Sequence, residues 1–383
     1  MSTVYNPFSD EIASSTVERI DSIEVFEARV PLPQTLSVGS ARITHRSYSV
    51  VRITTADGIT GVGYCYSRGL PITKIIDDVM TPVIIGKTYE SPDEIRRLVL
   101  GFNWQSAEHG TLTAGLSAID IALNDIAGKR AGKSVASMLG STVSEIPIYS
   151  VVGYHYGRDE SGLEEEIEFA RSRGINSFKI VVGAETPERD AKRLKVLREK
   201  VGDPVLIAVD AFRTFKTLDN AVNRVNLIKE FGISFVEDPF LESEGVAAIA
   251  LREATGVPVS FGESLASSKM AEQVLYYDQV DVLRIDALVI GGVNEFLKAV
   301  DYAHKNGKTF ATHIHTEIHS QIAAAVPNLY PGGLEYLDPR YEIDLFHHLL
   351  IEPIEIRDGK AILSTEPGFG IQWDWDAIER YSS

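Results

Sequence analysis

The chain holds one cysteine, Cys65, which excludes an internal disulfide framework and any cysteine-cluster metal site. It has no apolar run approaching the roughly 20 residues that a membrane-spanning helix needs. It is also short of positive charge: 37 Lys and Arg face 54 Asp and Glu, a formal net charge of −17. Such a surface repels nucleic-acid phosphates and anionic membranes, so neither is an expected partner. It would repel a small acid too, unless a metal ion or a Lys/Arg cluster supplies local positive charge. The opening residues, MSTVYNPFSD, lack the basic start and apolar stretch of a signal peptide, and the expectation is a cytoplasmic protein. No GxGxxG or GxxxxGK[ST] phosphate loop is present, which weighs against a nucleotide-binding open sheet.

What is there fits a globular protein. The chain has 383 residues, 44% hydrophobic and 24% charged, too long for one small domain. From Ser22 to about Leu139 the pattern is strands, then helices, an α+β arrangement. IEVFEARVPL and SYSVVRITTADGITGVGYCY read as strands, the latter as a hairpin turning at Ala56-Asp57-Gly58. The polar stretch Pro31 to Arg46 reads as a surface loop long enough to act as a lid. SPDEIRRLVLGF predicts a helix with Ser91 as N-cap and Pro92 in its first turn. HGTLTAGLSAIDIALNDIAGKRAG predicts another, from apolar residues spaced by three and four.

From about Pro147 to Ile354 short apolar runs alternate with helix-length segments. The runs are IPIYSVV, NSFKIVV, VLIAVD, ISFVED, VPVSFGE, DVLRID, KTFATH and LEYL. Eight such strands imply a parallel sheet closed into a β/α barrel. The tail after about Glu355 reads as a hairpin at Asp358-Gly359 followed by an extended segment.

In a β/α barrel, chemistry gathers at the carboxyl ends of the strands. Strands two to eight carry Lys179, Asp210, Glu237, Glu263, Asp286, His313 and Glu335 there. Any one of these is as readily a capping or ion-paired residue. Seven in succession are not. Asp210, Glu237 and Glu263 on adjacent strands would repel one another unless a cation sat between them. Oxygen-only ligands point to a hard ion, Mg²⁺ first and Mn²⁺ second. Asp286 beside His313 would fix the imidazole tautomer and raise its basicity, making His313 a candidate general base.

These motifs resemble the enolase superfamily and, within it, the mandelate racemase subgroup. The resemblance rests on VDAF at Asp210, EDP at Glu237, GES at Glu263, RIDALVIGGV, ATHIHTEIHS and LSAIDIALNDIAGKRAGKSVASMLG, and it spans nearly the whole chain. It implies an α+β capping domain over residues 1–140, opening with an extension. It implies an α/β modified TIM barrel, (β/α)7β, over 141–355, and a segment 356–383 returning to the cap. It further implies a Mg²⁺-dependent lyase acting on a small carboxylate substrate, and a homo-oligomer, with an octamer as one form. The use of a Lys or His base with one or two Mg²⁺ ions is a known property of that superfamily and comes with the resemblance. So does the dyad role of Asp286 and His313, and so does a protonated Glu335 hydrogen-bonded to the substrate carboxylate.

Two departures matter. The subgroup's Lys-x-Lys on strand two reads Lys179-Ile180-Val181 here, so one of two bases is missing. A one-base β-elimination by His313, the logic of acid-sugar dehydratases, is therefore the expectation. Epimerisation with Lys179 as second base and a metal-binding pseudoenzyme are the alternatives. Phe212 stands where many relatives have Asn, while Arg213 and Tyr154 are expected to bind substrate. His155 lies near a strand end, His315 is expected to point away from the barrel axis, and His347 and His348 are expected to be structural. The Pro31–Arg46 loop and the Tyr64–Gly69 tip are expected to cover the barrel mouth.

Overall fold

A computed structural model describes residues 17–38, 41–103, 110–154, 160–183 and 186–382. His155 lies outside them. The chain opens with an antiparallel sheet of β1 (Ile20–Val38), β2 (Ala41–Thr55) and β3 (Thr60–Tyr66). The β2–β3 hairpin turns where expected, with Gly58 at φ 81° and Asp57 accepting from Thr55 Oγ1 at 2.6 Å. The stretch Pro31 to Arg46 is not a loop. Its described residues, 31–38 and 41–46, lie in β1 and β2 and pair as a two-stranded ribbon, with a register shift between Pro31 and Leu36. Its polar composition misled, because a ribbon that projects from a sheet needs cross-strand pairs rather than a buried face.

Helix α1 (Pro92–Phe102) starts at Ser91, whose side chain makes no cap; the Glu94 carboxylate instead accepts from the Glu90 N–H at 2.7 Å. Helix α2 (Gly110–Ala131) forms as expected but is not amphipathic: every residue from Leu112 to Ile126 is buried. A helix apolar on all sides belongs in the middle of a structure. Small residues allow this. A Cβ at Gly63 would lie 2.0 Å from the Ala118 carbonyl oxygen, and one at Gly61 would lie 2.2 Å from that of Ala122. Two glycines thus let β3 lie directly on the helix backbone.

The barrel is built from β4 (Glu145–Val152), β5 (Ser177–Val181), β6 (Leu206–Asp210), β7 (Ile233–Glu237), β8 (Val259–Phe261), β9 (Val282–Ile285), β10 (Thr309–Thr312) and β11 (Leu334–Tyr336). β4 to β10 pair in sequence order, all parallel, and β11 returns to pair with β4. This is the (β/α)7β modified TIM barrel, with a helix after each strand from β4 to β10, as the strand–helix rhythm implies.

The tail forms the expected hairpin, β12 (Ile356–Arg357) and β13 (Lys360–Ile362), with Asp358 and Gly359 both at positive φ. β13 adds antiparallel to β4. The following segment is not wholly extended. It ends in a helix, Trp375–Ser382, capped by Asp374 and packed on β1 through Trp375 against Phe26 at 5.6 Å. No helix among the described residues is long and apolar enough to cross a membrane.

Candidate active site

The carboxyl ends of the barrel strands open into a cavity of about 340 Å³. Its barrel wall includes Asp210, Phe212, Arg213, Glu263, Arg284, His313 and Glu335. Its outer wall comes from the β1–β2 ribbon and the turn after β3, through Arg42, Arg46, Tyr66 and Arg68. The two segments expected over the barrel mouth therefore do line it, the first as strand rather than loop. Tyr154 lines the cavity and meets Phe212 edge-on at 5.9 Å.

Period-two alternation turns residues i and i+2 of a strand to the same face. On β5 this places Lys179 and Val181 together, both fully buried. Val181 carries no group that can take a proton. Lys179 Nζ sits 2.7 Å from Glu237, 2.6 Å from Glu335 and 3.6 Å from Asp210. Burial and the nearby Arg284 would lower its pKa, but the carboxylates outweigh them and hold it well above the usual lysine value. In this arrangement Lys179 is a buried ammonium held among three carboxylates.

Arg284 was missed in the sequence. It lies on β9 two residues before Asp286, fully buried. Its guanidinium forks among three carboxylates: Nε is 2.9 Å from Glu237, Nη1 contacts Glu263, and Nη2 is 2.7 Å from Glu335. The signal was available, since a charged residue inside an apolar strand must find buried partners.

Glu335 accepts from Lys179 through Oε1, and from Arg284 and the Ile314 N–H (3.1 Å) through Oε2. Burial would raise it, yet Arg284 and Lys179 pull it down to about 2. Both oxygens accept hydrogen bonds, an arrangement that favours the ionised form over the protonated donor that the resemblance implies.

Arg213 lines the cavity but is engaged, 2.7 Å from Asp238 and 3.1 Å from Glu263. Arg68 reaches Glu263 at 3.4 Å from the opposite wall. Six carboxylates (Asp210, Glu237, Asp238, Glu263, Asp286, Glu335) are interleaved here with four cations (Lys179, Arg68, Arg213, Arg284). Burial pushes the Glu237 and Asp238 carboxyls up. Glu237 Oε2 and Asp238 Oδ1 are buried without a hydrogen bond of good geometry. The all-oxygen donor set is of the kind that suits a hard divalent cation; in this structure Asp210, Glu237 and Glu263 are held by Lys179, Arg213 and Arg284.

Asp286 accepts from His313 Nδ1 at 2.7 Å and from the Leu288 N–H at 2.8 Å. Burial would raise it, but the hydrogen bond from the His313 imidazole pulls it down, and it is held far below the usual carboxylate range. His319 lies 3.5 Å from Asp286 but is no donor to it. Its Nε2 accepts from the Ala287 N–H at 3.0 Å, while Nδ1 donates to the Ile314 carbonyl at 2.7 Å. With Nδ1–H committed to Asp286, His313 presents its Nε2 lone pair, 3.5 Å from Glu263.

The backbone is strained here. Phe212, Arg213, Asp238, Ile314 and His315, each just past a strand end, all have φ between 35° and 56°. Positive φ in a β-branched Ile314 is unfavourable and clusters with function in folded proteins. It also breaks the strand alternation, so His315 does not point away from the site. It sits buried behind His313, with rings 6.0 Å apart, and its Nδ1 lies 3.2 Å from the Tyr64 hydroxyl. Burial lowers its pKa to about 4, so it is neutral. His347 and His348 lie apart from this site, beside Glu342.

Residues 162–377 match the family model described as enolase C-terminal domain-like, and residues 20–140 match that of the mandelate racemase/muconate lactonizing enzyme N-terminal domain. The L-talarate/galactarate dehydratase of Salmonella typhimurium is 28% identical over 373 residues, 94% of this chain and 90% of that protein. Chloromuconate cycloisomerase CbnB of Cupriavidus necator is 27% identical over 381 residues, 95% of this chain and 99% of that one. Among solved structures, L-talarate dehydratase from Polaromonas sp. JS666, complexed with Mg and L-glucarate, superposes with a TM-score of 0.85 at 26% identity, covering 96% of this chain and 98% of that one. The chain belongs to the enolase superfamily, in its mandelate racemase/muconate lactonizing enzyme group.

Proposed function

We propose that this enzyme is a Mg²⁺-dependent hydro-lyase that dehydrates an acid sugar. The observation that carries the reading is the pairing of one available base, His313 held by Asp286 at 2.7 Å, with a valine at the position of the second base. A relative named as an L-talarate/galactarate dehydratase, and a talarate dehydratase structure complexed with Mg and L-glucarate, support it. Asp210, Glu237 and Glu263 would hold the ion, which stabilises the negative charge that gathers on the substrate carboxylate as the α-proton leaves.

His313 Nε2 takes the α-proton. The C–H electron pair forms the carbon–carbon double bond as the β C–O bond breaks. The same Nε2–H then protonates the departing hydroxyl, releasing water, and the enol product tautomerises to a 2-keto-3-deoxy acid. Asp286 balances the transient imidazolium. Lys179 and Arg284 hold Glu237, Glu263 and Glu335 in place and supply the positive field that a net charge of −17 would otherwise deny an acid. Arg46, fixed by the Ile343 carbonyl at 2.7 Å and by Tyr66, stands with Arg42 and Arg68 at the outer wall. This second cationic end suits a sugar acid carrying a carboxylate at both termini. Lactonising chemistry is disfavoured because the strand-six end holds Asp286, where cycloisomerase-type members place Lys.

The test is a library of mono- and dicarboxylic sugar acids with Mg²⁺, scored for 2-keto-3-deoxy product. Turnover of a dicarboxylate supports the reading in full. Turnover confined to monocarboxylates removes the outer subsite. Deuterium wash-in at the α-carbon without net product refutes dehydration in favour of epimerisation.

A further inference from the structure

Between β11 and β12 the chain passes through two short 3₁₀ turns, Pro339–Tyr341 and Phe346–Leu349. Glu342 and Leu345 between them take left-handed backbone conformations, at φ 51° and 53°. Phe346 and Leu349 are buried, and Phe346 stacks on Tyr64 with ring centroids 4.1 Å apart. These apolar anchors leave the two intervening side chains, His347 and His348, pointing together, their rings 4.3 Å apart. Each imidazole aims Nε2 at a different oxygen of Glu342, 3.2 Å for His347 and 2.7 Å for His348.

One ligand atom from each of the three residues lies within 4.8 Å of the others. In a tetrahedral zinc site with bonds of about 2.0–2.1 Å, neighbouring ligand atoms stand about 3.3 Å apart. The site is reachable from solvent, with side chains 20%, 34% and 36% exposed for His347, His348 and Glu342.

We propose that Glu342, His347 and His348 form a second metal site, one for a divalent transition-metal ion of the zinc class, with water completing the coordination. Two imidazole nitrogens and one carboxylate favour Zn²⁺, Co²⁺ or Ni²⁺ over Mg²⁺. The ion displaces the protons that the imidazoles share with Glu342 and releases them to solvent, so affinity falls as pH falls. The site is coupled to the cavity by position. Ile343 holds Arg46 through its carbonyl, and Asp344 accepts from the Tyr48 hydroxyl at 2.8 Å. An ion here fixes the segment against the N-terminal sheet.

The experiment is calorimetric titration of the metal-stripped, full-length protein with ZnCl2 in excess Mg²⁺, paired with visible absorption on Co²⁺ addition. One saturable zinc site is expected, with a cobalt spectrum typical of nitrogen and oxygen ligands. His348→Asn and Glu342→Gln should each weaken binding at least about 100-fold, with metal-free thermal midpoints unchanged. His347→Asn replaces either variant if its midpoint falls. Asp286, His313 and His315 are the other set among the described residues that meets the same distance criterion. Zinc binding lost in His313→Asn would assign the ion to that set and overturn the proposal. So would binding that survives in both Glu342→Gln and His348→Asn, or no zinc binding beyond the Mg²⁺-saturated state.

Discussion

Replacing Arg284 by Met removes the cation that Glu237, Glu263 and Glu335 share. The side chain is fully buried, so water cannot take its place without opening the barrel. Each of the three carboxylates then loses a charge-assisted contact of roughly 1.5–3 kcal/mol. They do not lose everything. Lys179 still faces Glu237 and Glu335, Arg213 still faces Glu263, and the carboxyls can bind protons. The expected net loss is therefore that of breaking one buried ion pair, about 3–5 kcal/mol. At 25 °C that is on the order of a thousandfold in the folding equilibrium. The pH dependence sharpens the test. Glu335 is depressed to about 2, so the stability it contributes is present above the unfolded carboxylate pKa and is lost as pH falls toward 2. Without Arg284 its pKa rises, and the gap between wild type and variant should be widest near pH 7 and narrow steadily as pH falls from about 4.5 toward 2. Guanidinium unfolding of both proteins across pH 3–8, with and without Mg²⁺, measures this. Mg²⁺ should restore part of the loss, and Arg284→Lys should fall between the two proteins because it keeps the charge but not the fork. A loss under about 1 kcal/mol at pH 7, or one that does not shrink in acid, would refute the shared-cation reasoning.

Other outcomes follow from the same contacts. His313→Asn should abolish both dehydration and α-proton exchange while leaving Mg²⁺ affinity unchanged by calorimetry; exchange at the wild-type rate would remove His313 as the base. Glu237→Gln should weaken Mg²⁺ binding, and equal affinity in the same titration would overturn its ligand role. His315 is buried and neutral, with a folded pKa of about 4. The unfolded state takes its proton first, near 6.5, so stability falls by roughly 3 kcal/mol as pH drops from 6.5 to 4. His315→Gln should flatten that part of the curve, and parallel curves would contradict it. Gly63→Ala places a Cβ 2.0 Å from the Ala118 carbonyl oxygen. It should cost about 1–3 kcal/mol of stability by thermal or chemical melts, and an unchanged midpoint would show that β3 and α2 can part freely.

Much of the architecture was legible because it depends on local periodicity. Strand–helix alternation places Lys179, Asp210, Glu237, Glu263, Asp286, His313 and Glu335 at one end of the barrel from spacing alone, and the structure gathers them there. The errors came where partners lie far apart in sequence. The polar stretch from Pro31 to Arg46 resembles a loop until its two halves pair as a ribbon. His315 looks turned away until a positive φ at Ile314 resets the alternation.

The sequence alone determined the kind of fold and the chemical inventory: a β/α barrel, three carboxylates on adjacent strands, a dyad, and a valine in place of a base. It determined these because strand period and strand-end position follow from the order of residues along the chain. Only the tertiary structure decided protonation and role. Lys179 is held as an ammonium by three carboxylates, and Glu335 is held toward its ionised form by Lys179 and by Arg284, which lies 105 residues from one and 51 from the other along the chain. Charge state depends on distance in space and on exclusion of water, and neither can be read from position in the chain.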